Sequence, residues 1–269
     1  MALLPVHTVF SLNGAIVPCS AFVESENEGG IYEVLRVEQG VPLFLDEHLN
    51  RFYHSAQIAQ QTIGFQAGEI ARFITALIRA NEVDSGNILI SWKEKLKAFF
   101  IPHYYPGPQQ YAEGVVCGVL HAERNAPNAK VFQTDVRKKA NAMIERLGVY
   151  EVVLVDRTGK ITEGSRSNLF FIRNKQLVTP LSDKVLLGIT RQKTLECARG
   201  LALEVVEEDI ALNSLANFDA AFITGTSPKI LPIKQIGDIE FRVDNLLLRK
   251  LMQQHDALIS DYIACHRQA

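Results

Sequence analysis

Four cysteines are all that this chain of 269 residues holds, and Cys19, Cys117, Cys197 and Cys265 lie far apart with no CxxC pair. That scatter excludes a zinc knuckle and argues against a disulfide framework; it suits reduced thiols. Charge of one sign is also missing. Lys and Arg number 28 against 30 Asp and Glu, a net charge of −2. Such a balance gives no field to collect nucleic acid or a membrane surface, so any anion site has to be local. No apolar run reaches 18 residues, and the opening MALLPVHTVF has no basic flank. The expectation is a cytoplasmic protein with no signal peptide and no membrane span. The seven histidines form no HExxH or other close set, so no metal is expected. GxGxxG and GxxxxGK[ST] are both absent, which argues against a standard dinucleotide or Walker site. There is no internal repeat and no low-complexity tract.

What is present suits a folded chain with a substantial core, at 47% hydrophobic and 22% charged residues. VFSLNGAIVP reads as a hairpin around Asn13-Gly14, and GIYEVLRVEQGVPLFL as two strands around Gln39-Gly40. A helix is expected from Asp46 as N-cap, with Leu45, Leu49, Phe52 and Ala56 on one face. A second runs from Gln66 to Ala80 on Ile70, Phe73, Ile74, Leu77 and Ile78, and NILISW and LKAFFIP read as a β pair. HAERNAPNA is the candidate linker. Beyond it, a helix over TDVRKKANAMIERLG, strands at YEVVLVD, NLFFIR and AAFITG, a helix at GITRQKTLECARGLAL and a C-terminal helix over Val243–Ile263 follow. Strands and helices mix without a regular βα beat, which argues for an α+β fold.

Three features suggest a phosphate site. LLGITR puts Gly188 before a helix whose first N–H groups and dipole favour an anion, with Thr190 adding a hydroxyl. TGTS (224–227) is a small-hydroxyl turn after a strand, and Arg51 is able to grip an anion bidentately. Each has a plain alternative: an ordinary turn for TGTS, a surface ion pair for Arg51. His48 reads as a surface or capping residue, Arg137-Lys138-Lys139 as a solvated face and Trp92 as core.

In ITEGSRSNLFFI a strand delivers Glu163 into a Gly/Ser turn. With GGIYEVLRV, DEHLNRFYHSA, YEVVLVDRTGKITEGSRSNLFF, LLGITR and FITGTSPKILPI in this order, the chain resembles the class IV aminotransferases, the fold-type IV pyridoxal-phosphate enzymes. These include branched-chain and D-amino-acid aminotransferases and aminodeoxychorismate lyase. The resemblance implies a smaller N-terminal α/β domain (1–120), a linker (121–128) and a larger, barrel-like C-terminal α+β domain (129–269) that binds the cofactor. It implies pyridoxal 5'-phosphate as cofactor, an amino acid and an oxo acid as small-molecule partners, and a homodimer. Glu163 would face the pyridine nitrogen, and Arg51, Ile189, Thr190 and Thr226 would hold the phosphate. Counting back from YEVVLVD, the family's lysine falls on Lys130, 33 residues before Glu163, with Lys139 or a solvated lysine as the alternative. Lys138 lies opposite the apolar stripe of its helix.

The chain departs from the family in places. ESENEGG stands where Asp-Arg-Gly is usual, and no Arg-x-His or branched-chain substrate motif is visible in SWKEKLKAFFIPHYY. Asp135 replaces a tyrosine of branched-chain enzymes. Arg166 occupies a position that is usually small, and is read either as a substrate-carboxylate ligand or as a structural pair. Tyr32 matches an active-site aromatic of the D-amino-acid group, with packing as its alternative. The expected activity is aminotransfer; a lyase releasing pyruvate from aminodeoxychorismate and a catalytically inactive homologue are the alternatives.

Overall fold

The computed structural model describes residues 4–24, 29–132 and 134–267. Met1–Leu3 of the opening segment and most of ESENE lie outside them. Packing divides the chain into two units. The first holds the residues up to Tyr104, Ala129–Phe132 and the C-terminal stretch from Leu258; the second holds Tyr105–Asn128 and the residues up to Ala257.

The first unit contains β1 (Val9–Leu12), β2 (Ala15–Pro18), β3 (Ile31–Glu38), β4 (Val41–Pro42), α1 (Leu45–Ile58), α2 (Ala67–Asn81), β5 (Ser85–Trp92) and β6 (Leu96–Ile101). Its antiparallel sheet runs β2-β1-β6-β5-β3-β4. The β1–β2 hairpin turns at Asn13-Gly14, both at positive φ, as a two-residue loop requires. A Cβ on Gly14 would also run into the ring of Phe73. β3 alternates strictly between buried and half-buried residues. Ile31, Leu35 and Val37 face Leu49, Phe52, Ile70, Ile74 and Leu77 in one core, so the helical spacing of α1 and α2 buries the faces that the sequence suggests.

The helix start differs from expectation. Asp46 is not the N-cap; it lies in the first turn, and Phe44 caps the helix in the left-handed region. Phe44 is buried against the ring of Tyr262, and the Tyr262 hydroxyl accepts from the Leu45 N–H at 3.3 Å. A distant side chain thus supplies the cap.

The second unit contains α3 (Pro108–Glu113), β7 (Val115–His121), α4 (Thr134–Leu147), β8 (Glu151–Val155), β9 (Lys160–Gly164), β10 (Asn168–Arg173), β11 (Gln176–Thr179), α5 (Ile189–Gly200), β12 (Val205–Glu207), β13 (Ile210–Ala211), β14 (Ala220–Gly225), β15 (Lys229–Ile236), β16 (Ile239–Glu240) and most of α6 (Leu246–His266). Nine strands follow the order β12-β11-β10-β14-β15-β7-β8-β9-β13, and β16 pairs with β15. β7 and β8 are parallel, so the chain must cross over between them, and α4 makes the crossing.

These units differ from the boundaries expected at 1–120, 121–128 and 129–269. Tyr105–Asn128 packs with the second unit because β7 pairs with β15 and β8. Ala129–Phe132 returns to the first because Val131 bridges Ile31 of β3. Both pairings are non-local, beyond the reach of composition.

Phe52 is fully buried between sheet and helix. Phe52→Ala is expected to cost about 3–5 kcal/mol of stability, measured by denaturant unfolding; a loss under 1 kcal/mol would contradict this packing.

Candidate active site

In the first unit, the alternation of β3 puts Glu33 on the core face beside Ile31 and Leu35, at 0% exposure. Such a carboxylate needs partners. α1 supplies them at helical spacing. Arg51 donates through Nε to Oε1 at 2.7 Å and through Nη2 to Oε2 at 2.8 Å, and His48 Nδ1 lies 2.8 Å from Oε2. Burial opposes ionisation of Glu33, but the charge and hydrogen bonds of Arg51 and the His48 bond outweigh it and hold the carboxyl at about 2. Burial lowers the pKa of His48, which favours neutral imidazole. Because a carboxylate only accepts, the proton sits on Nδ1.

One turn beyond Arg51, the buried Ser55 hydroxyl accepts from the backbone N–H of Lys130 at 3.0 Å. Tyr32 N donates to the Lys130 carbonyl and Phe132 N to Gly30, so residues 130–132 extend β3 by a short bridge. The Lys130 ammonium lies 4.8 Å from the centre of the Tyr32 ring, which stacks on Phe132.

In the second unit, the β8–β9 hairpin closes on Asp156, whose Oδ1 accepts from Thr158 and Lys160. β9 then delivers Glu163, 3% exposed. Its Oε1 accepts from Arg124 Nη1 and its Oε2 from the Leu186 N–H, both at 3.0 Å. The following turn is wrapped around a second buried carboxylate, Glu151, which accepts from the Ser165 and Ser167 hydroxyls and the Arg166 N–H. Asn168 ends the turn. Its Nδ2 donates to the Leu186 carbonyl at 2.8 Å, and its Oδ1 occupies the place a Cβ on Gly188 would need. Gly188 is the N-cap of α5, and among the described residues no side chain caps that helix start. Asn168 also sits opposite Thr224 across the β10–β14 pair, beside the turn that carries Thr226. Asn168 therefore ties Glu163's anchor, the start of α5 and the TGTS turn into one cluster.

The family model for class IV aminotransferases matches residues 30–236. The chain belongs to the class IV aminotransferase family. It is 29% identical to a probable branched-chain-amino-acid aminotransferase of Rickettsia bellii, over 84% of this chain and 86% of the relative. It is 27% identical to a D-alanine aminotransferase of Bacillus licheniformis, over 77% and 78% of the two chains. The crystal structure of the Escherichia coli branched-chain amino acid aminotransferase superposes with a TM-score of 0.85 at 21% identity, covering 94% of this chain and 95% of that one. The fold is the α+β fold of the fold-type IV enzymes. Among the described residues no helix is long and apolar enough to cross a membrane.

Class IV aminotransferases use pyridoxal phosphate, and the donors present suit it. The α5 start offers backbone N–H groups, and the Thr224 hydroxyl, in a residue 1% exposed, has no partner among the described residues. The buried carboxylate of Glu163 suits a protonated ring nitrogen. Thr190 and Ile189 form the first turn of α5, with Ile189 buried and Thr190 half-buried. Lys138 and Lys139 are exposed on α4, whereas Lys130 is half-buried.

Two readings of α1 are corrected. His48 is buried on Glu33 instead of lying at the surface, and Arg51 forms a buried ion pair instead of a surface one. Arg166 is exposed, and its Nη2 donates to Asn141 on α4 at 2.8 Å. Sequence reasoning passed over Glu33, Ser55, Arg124, Glu151 and Asn168. Glu33 had a signal: a carboxylate in phase with Ile31, Leu35 and Val37. Arg124 had none.

The Glu33–His48 pair predicts acid sensitivity. Both groups have folded-state pKa values below their ordinary 4.5 and 6.5, so the unfolded chain binds more protons in acid. Stability is expected to be highest above pH 6.5, to begin falling below it, and to fall further between about 4.5 and 2. Melting temperatures across that range test this; in Glu33→Gln the lower limb should flatten, and an unchanged limb would refute the assignment.

Proposed function

We propose that the protein is a pyridoxal-phosphate-dependent aminotransferase that moves an amino group between an amino acid and a 2-oxo acid, and that it works as a cytoplasmic homodimer. The observation that carries the reading is the Asn168 cluster. It brings a buried carboxylate, a helix start that no described side chain caps and a hydroxyl-bearing turn together within one unit. Bound cofactor supplies an aldehyde that takes up the amino group and a ring that withdraws electrons from the substrate.

The chain's residues divide the remaining work. Lys130 would hold the cofactor through its side-chain amine, and that amine would take and return the substrate Cα proton. Its backbone bond to Ser55 and its contact with Tyr32 support this role by limiting where the amine reaches. Glu163 holds the proton on the ring nitrogen. Arg51, Ile189, Thr190 and Thr226 hold the phosphate, which anchors the cofactor and does not react. Tyr32 and Arg166 contact the substrate. The two named relatives bring branched-chain amino acids and D-alanine as first candidates for the amino donor.

Purified protein is expected to take up pyridoxal phosphate with a near-visible absorbance, to be fixed by borohydride onto Lys130, and to lose that absorbance with an amino acid from a panel of L and D forms. Peptide mapping of the adduct to Lys138 or Lys139 would overturn the lysine assignment, and failure to bind cofactor would overturn the reading. Glu163→Gln keeps the shape but removes the charge, so the first half-reaction should slow about tenfold or more in single turnover. A normal rate beside a lowered melting temperature would make Glu163 a turn-closing residue only.

A further inference from the structure

We propose that Glu33 is a positioning residue for cofactor binding: clamped by His48, it fixes the Arg51 guanidinium in the orientation that grips the phosphate. This rests on the reading of Arg51 as the phosphate arginine.

The clamp uses both oxygens. Oε1 accepts from Nε, and Oε2 accepts from Nη2 and from His48 Nδ1. Two bonds to one edge of a rigid planar fork set the plane of the guanidinium and so the direction of its remaining edge. The third bond stops the carboxylate from turning about its own axis. All three groups lie in the interior, with Glu33 at 0% and Arg51 at 8% exposure. Burying such a set seldom adds net stability over an apolar packing of the same volume. Geometry is what this one provides.

Charge makes the inference sharp, because it predicts the opposite sign. A carboxylate beside Arg51 cancels much of the attraction that the arginine offers to an anion. If Glu33 were only a counter-ion, removing its charge would tighten the hold on phosphate. If Glu33 orients the fork, removing its charge loosens that hold, because a side-chain amide cannot accept on both atoms.

The test compares dissociation constants of pyridoxal phosphate and of pyridoxal, which lacks the phosphate, by titration of the apoprotein and its variants. Glu33→Gln is expected to raise the constant for pyridoxal phosphate by about ten- to a hundredfold and to leave that for pyridoxal nearly unchanged. Glu33→Asp keeps the charge but draws it back by one methylene, and should shift the ratio in the same direction. His48→Asn places a nitrogen the same number of bonds from Cα as Nδ1, and should stay near the parent; His48→Leu should follow Glu33→Gln in part. Tighter or unchanged binding of pyridoxal phosphate in Glu33→Gln would overturn the proposal, as would equal losses for both ligands. Failure of the parent protein to bind pyridoxal phosphate would instead overturn the cofactor reading itself.

Discussion

A carboxylate buried without partners is too costly to persist, and three such groups organise this protein: Glu33, Glu151 and Glu163. Each is answered by donors from a different part of the sequence. Glu33 draws Arg51 and His48 of α1 onto β3. Glu151 gathers the Ser165–Ser167 turn. Glu163 takes the Leu186 N–H and Arg124. The charge must be met in one place and direction, so each carboxylate converts a local sequence into a fixed geometry. Apolar packing supplies the stability beneath them but is less directional.

The EGSRSN segment shows how densely a short stretch is used. Glu163 reaches Leu186, while Ser165 and Ser167 close on Glu151. Asn168 holds Leu186 by its carbonyl and stands against Gly188. Leu186 is therefore gripped at both its N–H and its C=O, by two residues of the same turn. The start of α5 is positioned by the same six residues that deliver Glu163, and any side chain at Gly188 would push Asn168 out of place. The carboxylate and the helix start therefore move together or not at all.

Periodicity made the elements legible. The i, i+3, i+4 spacing in α1 and α2, the alternation in β3 and the Asn-Gly turn are local signals, and the structure follows them. What local signals do not carry is pairing. The return of Ala129–Phe132 to β3 and the capping of α1 by Tyr262 depend on contacts across many residues, so the expected unit boundaries and the Asp46 cap both missed them. His48 stands on the helix face that meets β3, but a titratable side chain there reads as surface unless its partner is known. Lys130, Glu163 and Arg51 were singled out through the order of several modest motifs, as what the resemblance implies. Of the carboxylates beside them, Glu33 had its phase with Ile31, Leu35 and Val37 as a signal, whereas the Glu151 contacts run across strands and had none.

Helix α1 links the two residues that the first unit contributes to the proposed site, Arg51 and Lys130. Arg51 and Ser55 are four residues apart, about one turn along a rigid rod. Arg51 is fixed by Glu33, and Ser55 fixes the backbone of Lys130. The spacing between Arg51, proposed to hold the phosphate, and the Lys130 backbone is thus written into a helix and a strand, with no loop intervening. The segment around Lys130 follows a polar, proline-containing stretch whose own geometry is weakly specified. By bonding to Ser55 and bridging Ile31, it takes its position from α1 and β3 instead. The Lys130 backbone is thus held by regular elements and not by the connecting stretch, whose Arg124 is engaged with Glu163.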